Sequence, residues 1–220
     1  PVVGEAFDED MWRAIGQDGV LAYVCDSTNI FSRHAGRSES QLPEPIGALI
    51  SEAKGMVVAT TFASNVARLK TLADAGRANG RSICLLGRAM QRMVKASVEA
   101  GVLTDFPSTV SAEQANEIPR ENLMLIVTGS QGERRAASAS LSRGSYLGLE
   151  LKEGDTFLFS SKTIPGNEIG VGRIQNALAE KGVQIVDEQA GFYHVSGHAN
   201  RPDLEAMHDL VRPQILVPCH

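Results

Sequence analysis

Short apolar runs recur along this chain, and most are followed by a stretch that reads as a helix. Residues 56–60, 82–86, 123–127, 156–159 and 183–186 are runs of strand length. Residues 46–53, 65–79, 89–100 and 169–181 read as helices, as does an Ala- and Ser-rich segment after Glu133. In residues 65–79, Val66, Leu69 and Leu72 share one face. Strands that are apolar throughout, rather than on alternate residues, are buried on both faces. Strands alternating with helices predict parallel pairing, right-handed crossovers and helices on both sheet faces. The expected fold class is therefore α/β. Local signals agree: Pro43 and Pro45 lead into the helix at 46–53, and Gly80 and Gly101 close the helices before them.

The flanks are less regular. Residues 11–17 have helical spacing with acids ahead of them, which suits a helix N-terminus. Residues 19–25 form a continuous apolar run, read as a buried strand that ends at Asp26-Ser27-Thr28-Asn29. Residues 32–41 read as a connecting loop, and residues 101–122 as a loop with one short helix. Residues 192–199 are an apolar, strand-like run that breaks at a Ser-Gly turn and presents His198. A helix at 202–210 and a strand at 214–217 lead to Pro218-Cys219-His220.

Composition narrows the function classes. The chain has 220 residues, 43% hydrophobic and 21% charged, as in ordinary globular proteins. The net charge of -5 does not announce a nucleic-acid partner, so one would need a local basic patch. Arg77, Arg81, Arg88 and Arg92, then Arg134, Arg135 and Arg143, are the basic spots. They read as solvated helix faces or as a track for an RNA backbone. Three cysteines lie far apart with no C-x-x-C spacing. They imply buried, reduced thiols and a cytoplasmic setting. No signal peptide and no apolar run near the roughly 20 residues of a membrane span is present, so no membrane partner is expected.

Several polar clusters fall just after strands: Asp26-Ser27-Thr28, Thr60 to Asn65, Gly129-Ser130-Gln131-Gly132-Glu133, Ser160-Ser161, Ser196-Gly197-His198 and His220. On one α/β sheet they would all face one rim, where hydroxyls and glycine amides suit a phosphate. Each cluster alone also reads as helix capping or a tight turn. Asp26 and His198 form a candidate catalytic pair. A carboxylate that holds an imidazole lets the protonated ring donate to a phosphate oxygen or a leaving group. His220 could ligate a metal, although zinc takes about four ligands and no H-x-H-x-D-H cluster is present. His34 and His208 are assigned nothing.

The ordered set Asp26-Ser27-Thr28-Asn29, Thr61-Phe62-Ala63-Ser64-Asn65, Thr128 to Glu133, Ile164-Pro165-Gly166-Asn167-Glu168 and His194-Val195-Ser196-Gly197-His198-Ala199 resembles RNase J. That family comprises bacterial metallo-β-lactamase-fold nucleases with a β-CASP insertion, and the resemblance covers nearly the whole chain. It implies a parallel-sheet β-CASP domain with helices on both faces at residues 34–194. Strips of the lactamase αββα fold would flank it at 1–33 and 195–220. It implies a ribonuclease with two zinc ions, acting on single-stranded RNA both internally and processively from a 5′-monophosphate end. Metal-activated water would attack the phosphorus. Asp26 matches the acid that orients the β-CASP histidine, and His198 matches that histidine. His220 matches a zinc-ligating histidine. Ser130, Ser196, Gly197 and His194 match loops that hold phosphate.

The sequence departs from the family in places. The H-x-H-x-D-H motif and the metal ligands after it are absent, and Cys219 stands where valine is common. Pro1 in place of a methionine, and the halt at His220, imply a piece of a longer chain. The piece would carry at most one family zinc ligand, would not bind both ions fully, and would be inactive alone. The whole protein is expected to be a homodimer or tetramer. The competing reading is a non-catalytic α/β module that binds RNA or a partner. A nucleotide-binding domain is disfavoured, since neither G-x-x-x-x-G-K-[ST] nor G-x-G-x-x-G after a strand occurs.

Overall fold

A computed structural model describes residues 3–220. In chain order it contains α1 (Glu9–Asp18), β1 (Ala22–Asp26), α2 (Pro43–Glu52), β2 (Val57–Thr60), α3 (Val66–Ala78), β3 (Ser82–Leu86) and α4 (Arg88–Glu99). Then follow α5 (Ala112–Ala115), β4 (Leu123–Val127), α6 (Ala137–Arg143), β5 (Ser145–Tyr146), β6 (Leu149–Glu150) and β7 (Thr156–Phe159). The chain closes with α7 (Glu168–Glu180), β8 (Gln184–Val186), α8 (Arg201–Val211) and β9 (Ile215–Cys219). Two units result. One joins residues 3–38 to 195–220, and the other is the continuous segment 39–194.

The continuous unit is built on a five-stranded sheet in the order β3-β4-β2-β7-β8, every pairing parallel. Its central strand pairs on both sides: Ala59 lies opposite Ile126 and opposite Leu158. Side chains alternate between the two faces. Val58, Leu125 and Phe157 enter one core layer with Leu141, Val171, Ile174 and Leu178 of α6 and α7. Val57, Ala59, Met124, Ile126 and Leu158 are also fully buried. On that second face α3 crosses β3 and β4 closely. A Cβ on Gly76 would sit 2.5 Å from Ile83 Cδ1 and 2.6 Å from Met124 Sδ. The α/β expectation, a parallel sheet with helices on both faces, matches this unit.

Some details differ from the expectation. Arg81, read as part of an exposed basic spot, is buried. Its guanidinium donates to the carbonyls of Gly55 (2.8 Å), Ala53 (2.6 Å), Ile50 (3.3 Å) and Leu123 (3.3 Å). It satisfies carbonyls at the end of α2 and just beyond, and so has no role as a surface cation. The β5–β6 hairpin was not foreseen. Its two-residue turn is Leu147-Gly148, both at positive φ, without the Asn-Gly signal that usually marks such a turn. Residues 192–195 are irregular rather than strand-like. Among the described residues no strand pairs with them to complete a ladder, so their apolar character does not become β structure.

The discontinuous unit carries one parallel pair, β1 with β9, which places Asp26 opposite Cys219. Helix α1 packs on α8. The crossing depends on Gly16, because a Cβ there would fall 2.1 Å from the Leu210 carbonyl oxygen. The run at 19–25 yields the strand β1, ending at Asp26 as expected, but its expected burial does not hold. β1 alternates half-buried and exposed residues, Val24 is 62% exposed, and β9 is exposed throughout. A two-stranded sheet has too few elements to cover both its faces. For the same reason Cys25 is only half-buried and Cys219 exposed, leaving Cys84 as the one buried thiol among the described residues. No helix of the described residues is long and apolar enough to cross a membrane.

Gly16→Ala should destabilise the discontinuous unit by about 1–3 kcal/mol, the usual cost of overpacking. Gly172→Ala, in α7 with open space around it, should be neutral or stabilising by up to about 1 kcal/mol. Urea denaturation of the two variants checks the contrast.

Candidate functional site

A parallel sheet brings the C-terminal ends of its strands to one edge. In the continuous unit this gathers Thr60-Thr61 after β2, Thr128 to Glu133 after β4, and Ser160-Ser161 after β7. The strand ends are knitted together. Thr60 Oγ1 donates to the Val127 carbonyl at 2.9 Å, and the Ser160 N–H donates to the Thr60 carbonyl at 2.9 Å. Ser130 is buried at the root of the β4 loop. Gln131 clamps that loop to the β7 loop, donating to Lys162 O (3.0 Å) and accepting from Ile164 N (2.8 Å) and Asn167 Nδ2 (3.2 Å). Two buried hydroxyls at this edge, Thr61 and Ser161, have no hydrogen-bond partner.

The same edge holds a residue the sequence reading passed over. Arg68, in the first turn of α3, is 0% exposed. Its Nε and Nη2 form a fork on the Glu39 carboxylate, with Nη2 at 2.8 Å from Oε2. Its Nη1 donates to the Ser160 carbonyl (2.8 Å) and hydroxyl (3.0 Å), and meets His194 Nδ1 at 3.3 Å. The Ser160 hydroxyl donates onward to the Tyr193 carbonyl at 2.7 Å. A guanidinium only donates and stays charged. His194 Nδ1 must therefore present its lone pair, and the neutral ring carries its proton on Nε2. Burial, then Arg68 and Lys162, push the His194 pKa down to about 4. The signal for Arg68 lay in its position, one helical turn before the core residue Leu72. An arginine on a buried stripe needs a partner, but its partners lie 29, 92 and 126 residues away.

In the discontinuous unit, Asp26 ends β1 and turns the chain by accepting the Thr28 N–H on Oδ1 at 2.7 Å. Its Oδ2 meets His198 Nδ1. The Thr28 side chain and backbone N–H, followed by His198, hold the carboxyl well below the usual carboxylate range. The carboxylate is thus an acceptor at neutral pH, His198 Nδ1 is the donor, and Nε2 remains for other chemistry. The loop is braced around this pair. The Ser196 hydroxyl accepts from His198 N (3.1 Å) and Asn29 Nδ2 (3.2 Å), and Asn29 Nδ2 also reaches the His198 carbonyl at 3.2 Å. Ser196 is therefore an acceptor inside its own turn, and Gly197 has open space around it. Both partners of the pair are half exposed, at 48% each.

The structure joins Asp26 to His198, as expected. It does not place all the polar clusters on one sheet. Asp26, Ser196, Gly197, His198 and His220 belong with the β1–β9 pair, whereas Ser130, His194 and the threonine and serine ends belong with the five-stranded sheet. The sequence pattern shows where strands end but not which strands share a sheet. His220 directly follows Cys219, the residue opposite Asp26. Among the described residues no three His, Cys, Asp or Glu side chains group to hold a metal ion. The donors present do not fit a zinc centre, which draws three or four ligands from protein.

A family model described as "Ribonuclease J, beta-CASP domain" matches residues 54–178. Ribonuclease J of Sinorhizobium meliloti is 42% identical over 220 residues, covering 100% of this chain and 39% of that protein. Ribonuclease J of Mycobacterium tuberculosis is 35% identical over 221 residues, 100% of this chain and 40% of that protein. Ribonuclease J of Mycoplasma pneumoniae is 34% identical over 219 residues, 99% and 38%. The chain thus spans about 40% of the length of these curated relatives.

The His194 ring should stay neutral as pH falls from its ordinary value of 6.5 towards about 4. The unfolded chain takes up that proton first, so His194 contributes full stability above 6.5 and loses it as pH drops towards 4. Nitrogen-15 NMR of the ring checks this. A proton on Nδ1 at neutral pH, or titration near 6.5, would contradict the Arg68 contact.

Proposed function

The chain belongs to the ribonuclease J β-CASP domain family, and from that premise we propose that it is part of a metal-dependent ribonuclease. The substrate is single-stranded RNA, cut internally and also degraded from a 5′-monophosphate end. The continuous unit is the β-CASP domain. The discontinuous unit contributes strips of the metallo-β-lactamase fold. The setting is cytoplasmic and the whole protein is a homodimer or tetramer.

The observation that carries the reading is the Asp26–His198 pair. Asp26 fixes the ring through Nδ1, and in a ribonuclease a ring held in this way can act on a phosphodiester. His198, protonated at Nε2, donates to an oxygen of the scissile phosphate and then gives that proton to the departing oxygen. Asp26 stabilises the imidazolium while it exists. Ser130, Ser196, Gly197 and His194 contact RNA phosphates, His194 as a neutral Nε2–H donor. His220 is one zinc ligand. The remaining donors for two zinc ions come from other parts of the whole protein.

In the whole protein, His198→Ala should lower kcat on 5′-monophosphorylated RNA by about 10²–10⁴-fold, the usual worth of a general acid, with KM changed much less. Asp26→Asn should lower kcat by a smaller factor, since it keeps a hydrogen-bonding group and loses the charge. An His198→Ala enzyme within about threefold of wild type would remove the proposed role. The 220-residue segment alone should not cleave RNA with or without added zinc, and cleavage abolished by EDTA would refute that.

A further inference from the structure

The loop that follows β4 runs on into Arg134-Arg135, both exposed. Arg143, exposed in the last turn of α6, donates from Nη2 to the Arg134 carbonyl at 3.1 Å. Three arginines therefore meet at one corner of the continuous unit. The chain has 26 acids, yet none of the three arginines forms an ion pair among the described residues. The adjacent Glu133 forms no ion pair with them, and its Oε2 turns back to accept the Gln131 N–H at 2.9 Å. Clustered like charges repel, and they are relieved by a polyanion. A guanidinium fork matches the oxygens of a phosphate better than an ammonium does.

The base beneath these arginines is rigid. Ser138 Oγ donates to the Gly129 carbonyl at 2.9 Å, and Gln131 is fixed by its three contacts to the β7 loop. The loop leaves the carboxyl end of β4, the edge at which open parallel sheets meet their ligands. Position, unpaired charge and rigidity agree.

We propose that Arg134, Arg135 and Arg143 form a docking corner for the phosphodiester backbone of single-stranded RNA. It uses none of the residues proposed above to contact phosphate or carry chemistry. The inference rests on the reading that the protein handles RNA. Its contribution is affinity without sequence preference, since backbone contacts carry no base information.

The test is fluorescence anisotropy of a labelled single-stranded oligoribonucleotide bound to the whole protein in EDTA, which stops turnover, across a range of NaCl concentrations. Arg134→Gln/Arg135→Gln/Arg143→Gln should weaken binding and reduce the slope of log affinity against log salt by about 2, at about 0.7 for each lost phosphate contact. The triple Lys variant should keep most of that slope. Arg134→Gln and Arg135→Gln singly touch no folded contact of their side chains, so they report on binding if the triple variant misfolds. An unchanged slope in variants that fold would overturn the corner and leave the ribonuclease reading intact. Failure of the wild-type protein to bind RNA would instead remove the reading on which the corner rests. Competition by millimolar inorganic phosphate as effective as that by RNA would show an isolated-anion site and overturn the backbone assignment.

Discussion

A guanidinium cut off from water must be surrounded by acceptors, and Arg68 meets that demand at the edge of the five-stranded sheet. Glu39 takes two of its donors and Ser160 takes another through both carbonyl and hydroxyl. These partners come from a 3₁₀ turn before α2 and from the end of β7. The cluster thus ties a connecting segment, a helix and a strand end around one charge. Removing a single partner would strand a buried ion, which costs far more than the pair contributes. The strand ends, and the loops they carry, are held in place by this requirement as much as by the apolar layers.

The cluster also decides where a proton sits. His194 faces a donor and so keeps its lone pair on Nδ1, whereas His198, four residues on, faces an acceptor and so carries its proton on Nδ1. Their remaining nitrogens are opposite in kind. Nε2 of His194 is a neutral donor, whereas Nε2 of His198 is the nitrogen not held by Asp26. Two histidines in one short stretch therefore differ in the role of Nδ1, and the difference comes from partners distant in sequence.

Much of the continuous unit was legible because apolar runs and helical spacing are local signals. The strands at Ser82–Leu86, Leu123–Val127 and Thr156–Phe159 were read at their observed bounds. The Asp26–His198 contact was reached through resemblance and by chemistry, not by periodicity. Elsewhere the local signal misled. The run at residues 19–25 is apolar enough to be buried, but burial depends on what covers a strand, and little covers β1. Arg81 looks like its exposed neighbours in sequence and is a buried donor to four carbonyls. Arg68 was invisible as a node because every partner of its guanidinium is a long-range one. The grouping of polar clusters onto two sheets was equally out of reach, since pairing order is a tertiary property.

The chain order of the two units has a consequence for how they come into being. β1 and β9 are partners, and Ser27 bonds the Cys219 carbonyl across 192 residues. Segment 39–194 is complete before either α8 or β9 has been translated, so it can fold on the ribosome while β1 waits for its partner. Closing so long a loop late is slow when the intervening chain is loose. Here a finished domain occupies most of it. The junction of Asp26 with His198 therefore waits for residues made after segment 39–194, so a nascent protein gains that pair only once the continuous unit has been synthesised.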